Sequence, residues 1–413
     1  MTMTELLDLI ANGENSGVEF ARDDLRPEQL AKDAVALANL QGGLILLGVE
    51  DDGNITGIQR PNLEEWVMDT VFGRYVHPMI LPFYETVRID DSRRVAVIRL
   101  TQGTAKPYVV RQQDREEIFV RAGTVSRRAS REQQARLFSQ GGMLHAEALP
   151  VSGTAFSDLD RARLNDYLDR VIADPDVPQD EEAWIKRLIG LGFMVAGPGG
   201  DPVCTIAGTV LFARRPRRAL RQAGVRWMAF DGDEMTYQAL DDAVLDEPLV
   251  GLWRVDDGSP SLEQGGLLER LIERIQPFIS SDAGDLSDGI RRDRAWHYSV
   301  AAMREGVVNA FAHRDWTRLE DVEIVRYSDR LEIKSPGALP NSMTIEKMLV
   351  GQRSHRNPVI VEVLRDYGYA DARGMGVRKK IVPLVRQQNG VDPEFVATDD
   401  YLLVRMPRGV VPG

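Results

Sequence analysis

Between residues 301 and 340 a helix-patterned run passes directly into two β-patterned ones, which commits this part of the chain to mixed α and β structure. Ala302, Val307, Val308 and Phe311 fall at the spacing of one buried helical stripe. Glu305 and Asn309 lie four apart, so both project from one helical face, a turn from each other. A carboxylate can hold and polarise a water, and an amide oxygen is a hard ligand suited to Mg²⁺, so the pair suits a nucleotide and its metal. The helix runs out at His313-Arg314-Asp315. Two β-rich runs (322–327 and 330–334) then meet at Ser328-Asp329, and Ser335-Pro336-Gly337 forces a turn.

At 413 residues the chain is long enough for two or three domains, each with its own core. A hydrophobic content of 43% and a charged content of 28% describe an ordinary soluble protein. The first residues, MTMTELLDLIANGE, have neither a basic start nor a long apolar run, so no signal peptide is expected. Apolar runs such as LILLGV (44–49) are too short to cross a bilayer, and a cytoplasmic protein without membrane partners is the expectation. The single cysteine, Cys204, excludes an intramolecular disulfide framework and a thiolate zinc cluster. Its surroundings, VCTIAGTVLF, look like a buried strand.

A net charge of −12 argues against binding nucleic acid over the whole surface, so any such site must be a local basic patch. Two stretches qualify. RAGTVSRRASREQQAR (121–136) has five arginines against one acid, and RRPRRALRQAGVR (214–226) has six and none. In the first, Arg121, Arg127, Arg128 and Arg131 are the candidate phosphate contacts.

Residues 1–145 alternate helical and strand patterns, as an α/β domain does. A helix over 4–11 precedes Glu14, and Val18 and Phe20 alternate with Glu19 as on a strand. Pro27 opens a second helix, which stops near Gly42-Gly43. LILLGV is a buried strand that turns through Glu50–Asn54 into a short strand, Ile55–Ile58. If the two longer strands pair, Glu14, Glu19, Glu50 and Asp51 gather at one end of a small sheet. Such oxygen ligands suit Mg²⁺ or Mn²⁺, and a metal-bound water can attack a phosphodiester. Asp-Gly also favours a plain solvated turn.

The motif E-x4-EF (Glu14, Glu19-Phe20), followed by A-x-AN-x-x-GG-x-L-x-x-GV-x-D-x-G-x-I-x-GI, resembles the Schlafen-type AlbA-like domain. The likeness continues through Lys106-Pro107-Tyr108 and Ile118–Gly123. It implies a nucleic-acid-binding fold and, by analogy with RNA-cleaving members, a metal-dependent nuclease site at Glu14, Glu19 and Asp51. The lysine that usually follows the EF pair is replaced by Ala21, which removes one source of charge stabilisation for a phosphoryl transition state.

The HRD and SPG-x-LP elements around the Glu305/Asn309 helix closely resemble the GHKL-type (Bergerat) ATP-binding module found at the C-terminus of bacterial proteins catalogued as transcriptional regulators. The resemblance implies ATP and Mg²⁺, with Glu305 as the water-activating residue and Asn309 as the magnesium ligand. Ser335 and Gly337 take the place of the usual aspartate-glycine element, which puts base selectivity and fast hydrolysis in doubt. Further on, Gly374 and Gly376 open a helix that carries Arg378, Lys379 and Lys380, a pattern that lets backbone N–H groups approach a phosphate.

Between the modules, Gly141-Gly142 to Gly153 reads as a linker. Residues 154–290 read as a connecting α+β region, with a helix over 261–279 and Trp227 and Phe230 in its core. The expectation is a multidomain chain of α/β and α+β class: an AlbA-like domain at 1–145, the connecting region at 154–290, and a GHKL-like α/β sandwich at 291–413. The functional expectation is an ATP-responsive, homo-oligomeric regulator that binds DNA or RNA. The alternatives are a metal-dependent nuclease active in defence, or an oligomeric binding protein whose weak ATPase module is vestigial.

Overall fold

The computed structural model describes all residues save 104, 114, 198, 257–258, 287–291, 341–342, 353, 355, 371–375 and 410–413; at 256, 282–286 and 292–294 it describes the backbone alone. The chain forms two compact units, Met1–Leu144 and His145–Gly413.

The first unit is built on a four-stranded sheet. Its strands are β1 (Val18–Ala21), β2 (Gly42–Leu47), β3 (Phe83–Arg88) and β4 (Arg94–Thr101), in the order β1-β2-β4-β3. The connection from β1 to β2 is α2 (Pro27–Asn39), so those two strands run parallel, with Glu19 opposite Ile45 and Ala21 opposite Leu47. Proline stands first in α2, where its missing N–H costs nothing. One face of the sheet packs Ile45, Leu47 and Ile98 against Leu30, Ala34 and Leu37 of α2. On the other face Leu6 and Ile10 of α1 (Met3–Asn12) meet Phe20, Leu46 and Val97. Asn39, buried at the end of α2, donates to the carbonyls of Tyr108 and Phe119 and accepts from the Tyr108 N–H, all within 2.9 Å. That one amide therefore fixes the later strands to the helix. Ile55–Ile58 does not form the expected strand; Ile55 makes a single bridge to Val49.

In the second unit a six-stranded sheet combines segments far apart in sequence. Its strands are β5 (Val225–Ala229), β6 (Asp241–Leu245), β7 (Val322–Arg326), β8 (Arg330–Pro336), β9 (Glu394–Ala397) and β10 (Tyr401–Pro407), in the order β6-β5-β7-β8-β10-β9. The β5–β7 pair is parallel, with Trp227 opposite Ile324, and the other pairs are antiparallel. Strands from 154–290 and from 291–413 thus share one sheet. They also share one core, in which Trp227, Leu271, Phe311, Ile324 and Ile333 are enclosed together.

Two segments fold differently from their sequence patterns. TIAGTVLFA is not a strand: residues Ile206–Phe212 form a helix, α3, capped by the Thr205 hydroxyl, which accepts from the Gly208 N–H at 3.0 Å. Every residue of α3 is buried, so no polar face revealed its period. The helix expected over 261–279 begins only at Leu267 (α4, Leu267–Ile279), because Ser259–Gln264 form a strand. Cys204 and Trp227 are fully enclosed and Phe230 is buried, as expected of core residues.

Because Trp227 is enclosed and its indole N–H donates to Asp241 at 2.9 Å, replacing it with Ala should cost about 3–5 kcal/mol. Urea unfolding followed by a probe in 154–290 and another in 291–413 should show both midpoints falling together. Separate midpoints would mean that the shared sheet does not couple the two segments.

Candidate functional site

Helix α5 (Val300–His313) begins at Ser299, whose hydroxyl accepts from the Ala302 N–H. Ala302, Val307, Val308 and Phe311 are all buried, which confirms the stripe. Gly306 brings the helix close to the sheet: a Cβ there would lie 2.7 Å from Cδ1 of Ile333. The helix end is pinned by the HRD triplet. The Arg314 guanidinium is wholly enclosed and donates to the carbonyls of Gln222 (2.7 Å), Glu320 (2.8 Å) and Arg318 (3.2 Å). It also lies over the Trp316 ring, and burial brings its pKa down to about 10. Asp315 donates its N–H to the Pro336 carbonyl, and its carboxylate accepts from the backbone N–H and hydroxyl of Thr317.

The same contacts explain the SPG turn. Gly337 has φ +108°, and a Cβ would fall 2.5 Å from that of Asp315, so only glycine fits. Ser335 is buried and donates its hydroxyl to the Ala310 carbonyl at 2.9 Å, which ties β8 to α5. Arg356 is buried too and donates to the carbonyls of His313 (3.2 Å) and Ala338 (2.7 Å). HRD and SPG are therefore two halves of one clamp.

This clamp leaves Glu305 and Asn309 facing a cavity of about 140 Å³. Ser335, Gly337 and Gly376 line the same cavity, with apolar walls from Ile333, Val361, Ile381 and Val404 and polar groups from His313, Gln352, Arg365 and Arg378. Gly374 lies outside the described residues. Glu305 is buried, with one oxygen 3.2 Å from Lys380 Nζ and the other accepting from the Asn309 amide at 3.4 Å. The close approach at Gly376 is to this carboxylate: a Cβ there would lie 1.7 Å from Glu305 Oε1. With the Asn309 nitrogen directed at Glu305, its amide oxygen is the atom suited to Mg²⁺. Apolar walls for a base beside hard oxygens and cationic groups for phosphates are a donor set that fits a nucleotide with Mg²⁺. Sequence patterning did not single out the Lys380–Glu305 pair, since 75 positions separate the partners.

In the first unit Glu14 and Glu19 stay close enough for Glu14 to raise the Glu19 pKa. Parallel pairing ends at Ala21–Leu47, and Asp51 is exposed in the turn beyond it. Asp52 closes that turn by accepting from the Asn54 N–H at 2.8 Å. Among the described residues no group of three or more His, Cys, Asp or Glu could hold a metal ion. The residues present therefore do not fit the expected metal centre.

Glu14 accepts from the Phe20 N–H at 2.9 Å. Glu19 is ion-paired with Arg121, which also donates to the Asn15 carbonyl at 2.8 Å. Arg121 is thus buried and engaged by a carboxylate, so it does not serve as a free phosphate contact. Arg127, Arg128 and Arg131 are exposed, and of these Arg128 is paired with Glu117. Burial, and then the neighbouring Asp33 carboxylate, push the Glu19 pKa up to about 7 despite the Arg121 pair; burial also raises Asp33.

A raised carboxyl pKa means that the folded state binds the proton more tightly than the unfolded chain. Its contribution is then fully present below the ordinary value of 4.5 and is lost as pH rises towards 7. Urea unfolding of the first unit should show a midpoint that declines between these values, and Glu19→Gln should flatten the decline. A midpoint that rises over that window would contradict the assignment. For the cavity, Gly376→Ala should destabilise the second unit by about 1–3 kcal/mol as Glu305 is displaced. Gly190→Ala, at a helix end with open space around it, should be neutral or mildly stabilising, and thermal melts of the two variants check both outcomes.

The crystal structure of the DIP2311 protein from Corynebacterium diphtheriae is 20% identical with a TM-score of 0.45, covering 99% of this chain and 80% of that one. The N-terminal domain of a RecG-related protein from Nitrosomonas europaea, solved by NMR, is 19% identical with a TM-score of 0.25, covering 32% of this chain and 93% of that one. No curated protein matches the chain. Residues 14–130 match the family described as "Schlafen, AlbA_2", and residues 320–406 match that described as "Putative ATP-dependent DNA helicase recG C-terminal". The chain thus joins a segment similar to the Schlafen AlbA_2 family to a segment similar to the recG C-terminal, ATPase-like family, the pairing that its motifs resemble.

Proposed function

We propose that this protein binds nucleic acid and that nucleotide held in the second unit regulates the binding. The observation that carries the reading is the convergence of Glu305, Asn309, Ser335, Gly337 and Gly376 on one cavity. Those five positions span 72 residues of sequence and come from one helix, the end of a strand, the turn after it and the start of a later helix.

On this reading ATP is the ligand, Asn309 holds its Mg²⁺ through the amide oxygen, and Arg378 faces the phosphates. The metal supplies charge neutralisation on the phosphate oxygens. Glu305 orients water, but Lys380 occupies one of its oxygens at 3.2 Å, so that pair must rearrange before Glu305 can act. A tethered carboxylate supports a nucleotide-sensing role with slow turnover better than fast hydrolysis. The similarity of residues 14–130 to the Schlafen AlbA_2 family, with exposed Arg127 and Arg131, supports nucleic acid as the partner of the first unit.

A fluorescent ATP analogue titrated with and without Mg²⁺ tests the proposal. Saturable, Mg²⁺-dependent binding to the wild type is expected, with Asn309→Ala weakening it about tenfold or more, equivalent to about 1.4 kcal/mol. Absence of binding by the wild type would overturn the reading.

A further inference from the structure

The arginine-rich stretch 214–226 plays no part in the cavity, yet the second unit presents it in a specific way. Its ends are buried: Ala213 leads in, and Leu220, Gln222 and Ala223 lead out to β5. Between them Pro216–Ala219 make one short helical turn, with Pro216 buried beneath it. Arg217 points into the structure, where it is ion-paired with Asp321, and its N–H donates to Asp246 at 2.7 Å. Arg214 is exposed but tethered to the Ser157 carbonyl at 3.1 Å. Gln222 accepts from the enclosed Arg314 and donates to the Trp316 carbonyl, which fixes where the stretch leaves the surface.

Arg215, Arg218 and Arg221 remain. All three are exposed, and among the described residues none is in an ion pair. Arg215 immediately precedes the turn, Arg218 lies within it and Arg221 follows its extended end at Leu220, so all three are carried by one short anchored segment. Asp246 lies beside this segment and already accepts from the Arg217 N–H; burial raises its pKa, against the lowering effect of the Arg217 hydrogen bond and of the Arg217 and Arg215 charges. In a chain with 63 acidic and 51 basic residues, three exposed guanidiniums within seven positions of one anchored segment, none of them in an ion pair among the described residues, make it locally positive. Guanidinium forks match phosphate oxygens in geometry as well as charge.

We infer that Arg215, Arg218 and Arg221 form a phosphodiester-binding surface on the second unit, which gives that unit its own contact with a nucleic-acid backbone. The inference rests on the nucleic-acid reading above but assigns the contact to a unit which that reading reserves for nucleotide. Backbone contacts of this kind carry no base selectivity. Each guanidinium placed on a phosphate of duplex DNA releases counterions and adds about 0.9 to the slope of log affinity against log salt, and about 0.7 on a single strand.

The test uses the full chain, a labelled 20-mer as duplex DNA and as single-stranded RNA, and a salt series from 50 to 200 mM. The wild type is compared with the triple variant Arg215→Ala, Arg218→Ala, Arg221→Ala and with each single Gln substitution. The expected result is a slope shallower by about 2–3 for the triple variant on duplex, with smaller graded losses for the singles. The corresponding triple Lys variant should keep the slope, which holds even if the Ala variant folds poorly. If the wild type binds and all variants keep its slope and affinity, the surface assignment is overturned while the nucleic-acid reading stands. If the wild type binds neither probe, the reading itself fails and the inference with it. If a polyglutamate peptide displaces the probe as well as unlabelled nucleic acid does, the surface serves acidic protein, which also overturns the inference.

Discussion

The second unit depends on a buried cation. Arg314 ends α5 with its guanidinium wholly enclosed, held by three backbone carbonyls and the face of Trp316. Removing a charge from water is costly unless it is met by partners of this kind, so the arrangement is intolerant of slack. The carbonyls belong to the loop before β7 and to the segment before β5, and the pin therefore fixes the helix relative to two neighbouring strands. Asp315 and Gly337 complete the fixation by closing the SPG turn against the helix end. Glu305 and Asn309, two and one turns back along the helix, then have one direction in which to face. The cavity follows from that constraint.

Much of the architecture was legible because local chemistry and tertiary packing agree. Pro27 opens a helix, the stripe at 302, 307, 308 and 311 is buried, and the strands at 322–326 and 330–336 lie where the β-branched runs are. The candidate cavity was legible as well, since Glu305, Asn309, Ser335, Gly337 and Gly376, all named from the sequence, line it. What escaped detection was non-local. The parallel pairing of Val225–Ala229 with Val322–Arg326 joins strands separated by about a hundred residues, and no periodicity in either strand reports its partner. Ile206–Phe212 was misread as a strand because a segment buried on every side has no polar face to show its period.

Charge was the least legible property. Five arginines in 121–136 look alike in sequence, yet Arg121 is buried against Glu19 while Arg127 and Arg131 are exposed. Glu14, Glu19 and Asp51 have suitable chemistry for a metal, but among the described residues no three such groups are placed to hold one. The same lesson applies to Gly376, whose missing side chain makes room for the Glu305 carboxylate. In each case the sequence specifies the chemical group, and a partner from a distant segment decides what that group can do.

Hydrogen–deuterium exchange of the full chain, with and without a non-hydrolysable ATP analogue and Mg²⁺, tests the central claim most directly. The account predicts slowed exchange in three separate segments at once, 300–313, 335–340 and 376–381, because they enclose a single cavity. Slowing confined to one of them, or found only elsewhere in the chain, would contradict it.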